Sequence, residues 1–447
     1  MFGQFDYDLI VIGSGAGGSV GASYARKLGK TVAIVESEKV LGGECPNWAC
    51  IPTKALLQAA EVYQTALSAK SFGVETSKVK VSISKLRQYR NLVVSRTTAR
   101  DDEKLLAEEG IALIRGRAKF VSKDEIEVNK KRYRAKRYLV ATGADTFVPP
   151  IPGIEKSGYI TFKEAAEFKT LPKSIVIIGG GPIGCEFAQL YSDLGVKVTL
   201  LEAAERLLVK EEAEVGKLIE SLLESRGVTV ITGAKIAKIE KKMVVIGKTK
   251  IKADQLLLAT GKTANLSFEP KSAGVVVENG KIRTNAFLQT SNPRIFAAGD
   301  NVGPLQFTHT AAYQSRLAVH NAFNRRKVRP GYLSIPRCVF VRPEVASVGF
   351  TESEAKKRGL KVKTGISELA GLGRANTSSS FEGFVKVVAD RRGVILGGAI
   401  VAPRAGEMIH ELALAIRLKA TASEVADLVH AFPTYSEAVK LACANVS

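Results

Sequence analysis

Cysteine is scarce in this chain: five residues in 447, namely Cys45, Cys50, Cys185, Cys338 and Cys443. An odd, sparse set in a long chain is not the disulfide framework of a secreted protein, which prefers short chains and even counts. In a reducing cytosol a close pair such as Cys45 and Cys50 serves catalysis or metal binding rather than structure. A zinc site would need further ligands, and there is no second close cysteine pair and no His-x(3–5)-His spacing. No metal site is expected. Long apolar runs are also missing: none reaches the roughly 18 residues of a membrane span. The stretch Leu9-Ile10-Val11-Ile12 runs directly into Gly13-Ser14-Gly15, so it reads as part of a fold and not as a signal peptide. These absences point to the cytoplasm. Acidic residues are outnumbered, 44 against 65 basic, for a formal charge of +21. Six of the eight residues from 130 to 137 are basic. Charge alone specifies no nucleic-acid readout, so the run reads as a solvated basic face that steers anionic nucleotides or acidic partners.

What is present is a fold signal that occurs twice. A hydrophobic content of 45% and a length of 447 residues suit a globular chain of two to four domains. Residues 8–13 form an apolar run ending in Gly13-Ser14-Gly15-Ala16-Gly17-Gly18; a small-residue helix follows, then a second apolar run to Glu36. In this strand, G-x-G-x-x-G, helix, strand order, Gly13 permits the tight turn. Gly15 lets backbone approach a pyrophosphate, and Gly18 lets helix and strand pack closely. The helix N-terminus offers free N–H groups to phosphate, and Glu36 can accept bonds from ribose hydroxyls. The pattern returns at residues 174–202 with Gly179, Gly181, Gly184 and Glu202. Glycine and acid are 23 positions apart in both copies, 13 to 36 and 179 to 202. Ala141-Thr142-Gly143 and Ala259-Thr260-Gly261 each end an apolar strand and close one unit. The fold class is therefore α/β, with two Rossmann-like doubly wound nucleotide-binding domains.

The expected organisation is a first nucleotide domain over residues 1–145, a second over 146–261, a return to the first over 262–334, and a C-terminal α+β domain over 335–447. Residues 37–110 form an insertion that carries the cysteines. It contains Gly42-Gly43-Glu44-Cys45-Pro46-Asn47-Trp48-Ala49-Cys50-Ile51-Pro52-Thr53-Lys54. Five steps along an ideal helix rise about 7.5 Å, beyond the usual Cα separation of a disulfide, roughly 4.4–6.8 Å. A bonded pair therefore needs a distorted backbone, which Pro46 and Pro52 favour. Beside the cation of Lys54, a depressed thiol pKa is expected.

The order of these motifs, with Ala297-Ala298-Gly299-Asp300 and the segment near residue 433, resembles the class I pyridine nucleotide-disulfide oxidoreductases. That family includes dihydrolipoamide dehydrogenase, glutathione reductase and mercuric reductase. The resemblance implies FAD at the first turn and NAD(H), or NADP(H), at the second. It implies that Cys45 meets a dithiol or disulfide substrate and that Cys50 contacts the flavin. Lys54 and Glu186 resemble an ion pair beside the flavin. Asp300 resembles the ribityl acceptor, and Gln306, Phe307, Thr308 and His309 the segment around the isoalloxazine. For His309 itself, a satisfied core histidine is an equal reading.

One departure matters. Dithiol–disulfide members carry His-x-His-Pro-Thr-x-x-Glu near the C-terminus, whereas this chain reads His430-Ala431-Phe432-Pro433-Thr434-Tyr435-Ser436-Glu437. Phe432 stands at the place of the acid–base histidine, a role worth about 10²–10⁴-fold, and Glu437 lacks its expected partner. His430 is carried as a substitute base against a rim or core reading, and Tyr435 as a packing residue. Mercuric reductases also have Phe-Pro there, which keeps a metal or electrophile reductase as the alternative to a dihydrolipoamide dehydrogenase-like activity. A non-catalytic flavoprotein subunit is a third reading. Cys443 reads as a small tail residue, and Cys185 and Cys338 as structural. Glu202 favours NADH, with Arg206 a counter-candidate that can reach a 2′-phosphate. The apolar residues from 408 to 416 predict a helix buried in a homodimer interface, with burial against the subunit's own sheet as the alternative, and with no membrane and no nucleic-acid partner.

Overall fold

The computed structural model describes residues 5–98 and 103–447. The chain divides into two compact units, each assembled from three stretches. One comprises Met1–Leu56, Ser82–Phe147 and Gly261–Pro330; the other comprises Leu57–Val81, Val148–Thr260 and Gly331–Ser447. Among the described residues no helix is long and apolar enough to cross a membrane.

The first unit is organised by a parallel sheet in the order Ile111–Arg115, Val32–Glu36, Tyr7–Ile12, Lys131–Val140. Its inner strands Tyr7–Ile12 and Val32–Glu36 are near-continuous apolar runs because both faces are covered, as parallel sheets require; Leu9, Ile10, Val11 and Ile34 are fully buried. The long strand Lys131–Val140 does two jobs. Its first half pairs antiparallel with Glu125–Val128, and its second half pairs parallel with Ile295–Ala297. The basic run lies mostly on this strand, and Lys130, Lys131, Arg132 and Lys136 are exposed, in keeping with a solvated face. Arg132 pairs with Glu125 at 3.2 Å, Lys136 with Asp8 at 2.8 Å, and Arg134 with Asp124. The reason is strand periodicity: Arg132, Arg134 and Lys136, two apart on the face opposite buried Ala135, meet carboxylates from neighbouring segments. The helix Ala16–Lys27 lies against the helix Thr308–Phe323 through Ala22, Ala25, Ala318 and Val319, on one side of this sheet.

The second unit repeats the plan in a four-stranded parallel sheet, ordered Thr229–Ile231, Lys197–Leu201, Ser174–Ile178, Gln255–Leu258. It also holds a five-stranded antiparallel sheet, ordered Arg337–Val339, Glu344–Gly349, Ile395–Ala402, Phe384–Asp390, Val362–Glu368. Helices Ala405–Leu418 and Glu437–Ala444 cover that sheet through Met408, Ile409, Leu412, Ala438, Val439 and Ala442. Here the expected interface helix is corrected. Most of its apolar stripe is buried against its own sheet, and only Leu414 and Leu418 remain outward.

A buried ionic cluster pins the loop after strand Lys197–Leu201 to the C-terminal sheet. Lys386, 2% exposed, meets Glu212 at 3.2 Å and Glu214 and Glu352 at 2.8 Å each. Burial alone would lower the ammonium's pKa, but hydrogen bonds to Glu214 and Glu352 hold it above the usual lysine range. Lys386→Met removes the cation shared by these carboxylates and leaves Glu352 only its surface partner Lys356. The expected cost is about 3 kcal/mol, the low end for breaking a buried pair because Glu214 and Glu352 are partly hydrated. Urea unfolding measures it, and an unchanged midpoint contradicts the assignment.

Candidate active site

The two glycine turns are built alike, atom for atom. A Cβ on Gly18 would sit 1.8 Å from the carbonyl oxygen of Gly13, and one on Gly184 would sit 1.8 Å from that of Gly179. Only glycine permits the turn-to-helix contact at those positions. The acids brace the turns. The Ser14 N–H donates to Glu36 Oε2 at 2.8 Å, and the Gly180 N–H donates to Glu202 Oε2 at 2.6 Å. Each acid also accepts an N–H two residues on, from Glu38 and Ala204. Both keep acceptor capacity for ribose hydroxyls. By contrast, a Cβ on Gly181 would meet nothing within 4 Å, and one on Gly15 would only touch Gly43 Cα at 3.8 Å. Space beside these two backbones, at the N-termini of helices Ala16–Lys27 and Pro182–Asp193, fits the close approach of a pyrophosphate. Gly143 and Gly261 follow their strands with positive φ, +68° and +102°.

The thiol pair is fixed to the first turn. Gly42 and Gly43 both have positive φ, and Asn47 Nδ2 donates to the carbonyls of Leu41 and Gly43, at 2.7 and 2.8 Å. A short helix, Glu44–Asn47, carries Cys45 and stops at Trp48; a second, Cys50–Ser68, starts at Cys50. The interruption brings the sulfurs together where an unbroken helix would separate them. The two cysteines are not joined as a disulfide, and both are partly buried. Cys45 is hydrogen-bonded to Cys50 and to Thr308, and Cys50 Sγ lies 3.6 Å from Thr308 Oγ1. The expected depression of the thiol pKa is overturned for Cys45. The hydrogen bond to Cys50 and then burial push it up, and the opposing pull of Lys54 is the weakest contribution. One thiol of a contacting pair resists ionising when the other carries charge.

Around the pair, the same unit assembles a charged group that motif reading did not single out. Lys262, directly after Gly261, bridges Glu44 and Asp300, the latter at 3.4 Å. Burial raises the Asp300 carboxyl despite this lysine, while Glu44 and Asp300 together outweigh burial to raise Lys262. Gln306 Nε2 donates to the Asp300 carbonyl at 3.2 Å. Fully buried Gln314 clamps the turn, accepting from Gly299 N–H at 2.8 Å and donating to Gly303 O at 2.7 Å. Thr142 Oγ1 donates to Asn265 O at 2.7 Å and accepts from Asn301 Nδ2 at 3.2 Å. The Asn301 side-chain oxygen, in a residue with no exposed surface, meets no protein donor. Such an orphan acceptor between Thr142 and Asp300 fits a hydroxyl-bearing ligand. His309 is exposed and stacks on Phe307, with ring centroids 5.4 Å apart. It is not a core histidine.

In the second unit, Glu186 is buried on helix Pro182–Asp193, and its Oε1 accepts the Phe340 N–H at 2.9 Å. Gln189 and Asp193 continue this polar stripe to Arg342. His430 has both ring nitrogens engaged, by the Leu428 carbonyl and by Glu411 Oε1, each at 3.0 Å. Glu437, whose expected histidine partner is replaced by Phe432, accepts the Thr434 N–H at 3.0 Å as it opens helix Glu437–Ala444. Phe432 is 79% exposed. Tyr435 is buried and hydrogen-bonds Ser378. Cys443 is buried, its thiol pushed up to about 12 by desolvation, and Cys185 is buried as well. Arg206 donates to five backbone carbonyls, those of Leu207, Leu208, Val209, Glu211 and Glu212. Its guanidinium is committed to the loop. Among the described residues, no group of three or more potential ligands is placed to hold a metal ion.

Two family models match the chain: "pyridine nucleotide-disulphide oxidoreductase" over residues 7–315, and the dimerisation domain of the same name over residues 335–443. A dihydrolipoyl dehydrogenase of Bacillus subtilis is 38% identical over 463 residues, covering 97% of this chain and 96% of its own. A mercuric reductase of Bacillus cereus is 36% identical over 451 residues, covering 98% of this chain and 71% of its own. Among solved structures, the HOCl-induced flavoprotein disulfide reductase RclA of Escherichia coli superposes with a TM-score of 0.88 at 28% identity. The match covers 99% of this chain and 100% of that one.

The thiol geometry makes a direct forecast. Because the hydrogen bond from its neighbour is the largest cause of the raised Cys45 pKa, Cys50→Ala should lower that pKa. The thiolate fraction near pH 8 then grows, and iodoacetamide labels Cys45 severalfold faster than in the reduced wild-type pair. Peptide mass mapping across pH reads this out, and slower labelling refutes the assigned cause.

Proposed function

The chain belongs to the pyridine nucleotide-disulphide oxidoreductase family, and from that premise we propose that it passes electrons from NADH to a disulfide substrate through Cys50 and Cys45. It is an FAD-dependent disulfide oxidoreductase with a C-terminal dimerisation domain. The observation that carries the residue assignment is the contact between the two thiols in the unit that holds the first glycine turn. In this reading Gly13, Gly15, Gly18, Glu36, Thr142, Gly143, Asp300, Gln306, Phe307, Thr308 and His309 hold FAD, and Gly179, Gly181, Gly184, Glu202 and Gly261 hold the nicotinamide nucleotide. Bound FAD supplies the two-electron relay between nicotinamide and sulfur. Lys54 and Glu186 position charge beside that relay, and Cys45 is the thiol that meets substrate.

Anaerobic titration with NADH tests the assignment. The oxidised pair should take up two electrons and yield a long-wavelength band from the Cys50 thiolate. Cys50→Ser should abolish that band, whereas Cys45→Ser should retain it. A band that survives Cys50→Ser sinks the ordering of the thiols.

The nucleotide is NADH in this reading, because the Glu202 carboxylate repels a 2′-phosphate and Arg206 is already spent on loop carbonyls. The expected kcat/KM ratio favours NADH at least tenfold. A clear NADPH advantage overturns it.

Phe432 favours a second reading of the substrate, a soft-metal or electrophile reductase, because a phenyl ring delivers no proton to a leaving thiolate. The buried Cys443 supports no metal relay in the tail, so the disulfide reading is preferred. NADH consumption with lipoamide, glutathione disulfide and Hg(II) separates the two.

The active form is a homodimer in this proposal. Leu414, Leu418, Leu428, Val429 and Phe432 leave an apolar surface on the dimerisation domain, with Val429 89% exposed. Obligate interfaces bury more than about 2,000 Å² and are core-like. Leu418→Glu with Val429→Glu should dissociate the protein and abolish turnover. A monomeric wild-type mass by light scattering, with full activity, refutes the dimer.

A further inference from the structure

Within the C-terminal segment, Phe432 stands where the resemblance expects a histidine, both nitrogens of His430 are engaged, and Glu437 accepts the Thr434 N–H. The thiol pair itself has an arrangement that meets the need for a base. Cys45 and Cys50 are hydrogen-bonded to one another, and Thr308 reaches both, lying 3.6 Å from Cys50 Sγ and hydrogen-bonded to Cys45. Thr308 is the first residue of the sixteen-residue helix Thr308–Phe323, whose N-terminal end carries partial positive charge. A hydroxyl rotates about its C–O bond, so it donates to whichever sulfur is the better acceptor. Lys54 is the charged group acting on Cys45 from the helix that carries Cys50.

We propose that the thiol pair supplies its own proton, with Thr308 as a catalytic hydrogen-bond donor that follows the negative charge from Cys50 to Cys45. This rests on the disulfide reading above. In the reduced pair, Cys50 is a thiolate and Cys45 a thiol. The Cys45 proton passes to Cys50, and Thr308 turns its donation to the new Cys45 thiolate. Cys45 attacks one sulfur of the substrate disulfide, forming a mixed disulfide and expelling the other sulfur as a thiolate. That leaving thiolate takes the proton from Cys50. Thr308 turns back, and Cys50 attacks Cys45, closing the Cys45–Cys50 disulfide and releasing the second substrate thiolate. Two electrons leave the pair, one substrate sulfur departs as a thiol and the other as a thiolate, and no external base enters. Transfer of the Cys45 proton to Cys50 supplies the attacking thiolate without an imidazole, and rate follows thiolate fraction.

Thr308→Val, Thr308→Ala and Thr308→Ser test this. Each flavin-replete protein is reduced with dithiothreitol, desalted, and alkylated with iodoacetamide from pH 5 to 9, with Cys45 and Cys50 scored by peptide mass. Loss of the hydroxyl in the valine and alanine variants should slow Cys45 labelling at pH 7 about tenfold, the equivalent of one pKa unit. Serine, which keeps the hydroxyl, should stay within about twofold of wild type. A folded valine or alanine variant that labels like wild type overturns the proposal, and so does a serine variant as slow as alanine. Reduction by dithiothreitol bypasses flavin and nucleotide. Failure of NADH to reduce the pair would therefore count against the electron path alone, while the labelling result still judges Thr308.

Discussion

The first unit depends on one close approach of backbone to backbone. Gly15 forms a parallel bridge with Gly42, and a Cβ on Gly43 would fall 2.7 Å from Gly15 Cα. No side chain fits at Gly43, so the glycine turn and the turn that leads to the thiols are held in direct backbone contact. Asn47 tightens it by holding the carbonyls on either side of the glycine pair. The position of Cys45 is thereby inherited from the nucleotide turn, not from the flexible reach of a loop. Reactive geometry held within fractions of an ångström needs such a support.

The two dinucleotide turns share their internal hydrogen bonds yet differ in what surrounds them. In the first unit the acid after the second strand is followed by the insertion that brings in the thiols. In the second, the corresponding loop is closed on itself. Arg206 gathers its carbonyls, Glu211 pairs with Arg337 at 3.2 Å, and Glu212 pairs with Lys386. Leu208 donates its N–H back to the Gly180 carbonyl at 3.0 Å. A loop so fully bonded has little freedom to remodel around an extra phosphate, because each bond surrendered would leave a buried polar group unsatisfied. In the proposed NADH reading, specificity against the phosphorylated nucleotide comes from repulsion and rigidity together.

The glycine turns were legible in the sequence because their physics is local: strand, turn and helix lie within about thirty residues, and steric exclusion selects glycine at fixed offsets. The α/β class and the C-terminal sheet domain followed from the same patterning. The charge around the thiols was not legible. Glu44 and Lys262 are 218 positions apart, and nothing in either neighbourhood announces the other. The acidity of Cys45 was misjudged for a related reason. Lys54 is near in sequence, so its charge seemed to decide the matter, whereas the hydrogen bond between sulfurs and the loss of water around them act more strongly. The apolar helix Ala405–Leu418 misled in the opposite direction. Its periodicity predicts burial correctly but cannot say by which surface, and its own sheet takes most of it.

In the proposed reading, the phenylalanine at position 432 changes what the enzyme asks of its substrate. A histidine there would protonate a departing thiolate, so the enzyme could release poor leaving groups. Without it, the chemistry favours partners whose leaving atom is stable as an anion, or which carry no proton demand at all. Low-pKa disulfides and soft cations both meet that condition, since the leaving thiol's own pKa governs exchange. The similarity to both a dihydrolipoyl dehydrogenase and a mercuric reductase at nearly equal identity, 38% and 36%, accords with a thiol pair that is general and an entrance that is not. An exposed phenyl ring with Leu428 and Val429 alongside presents apolar surface where an imidazole would present a proton. Selection by such a surface acts through contact area and exclusion of water, and the acid–base burden falls back on the sulfurs and on the hydroxyl that touches them.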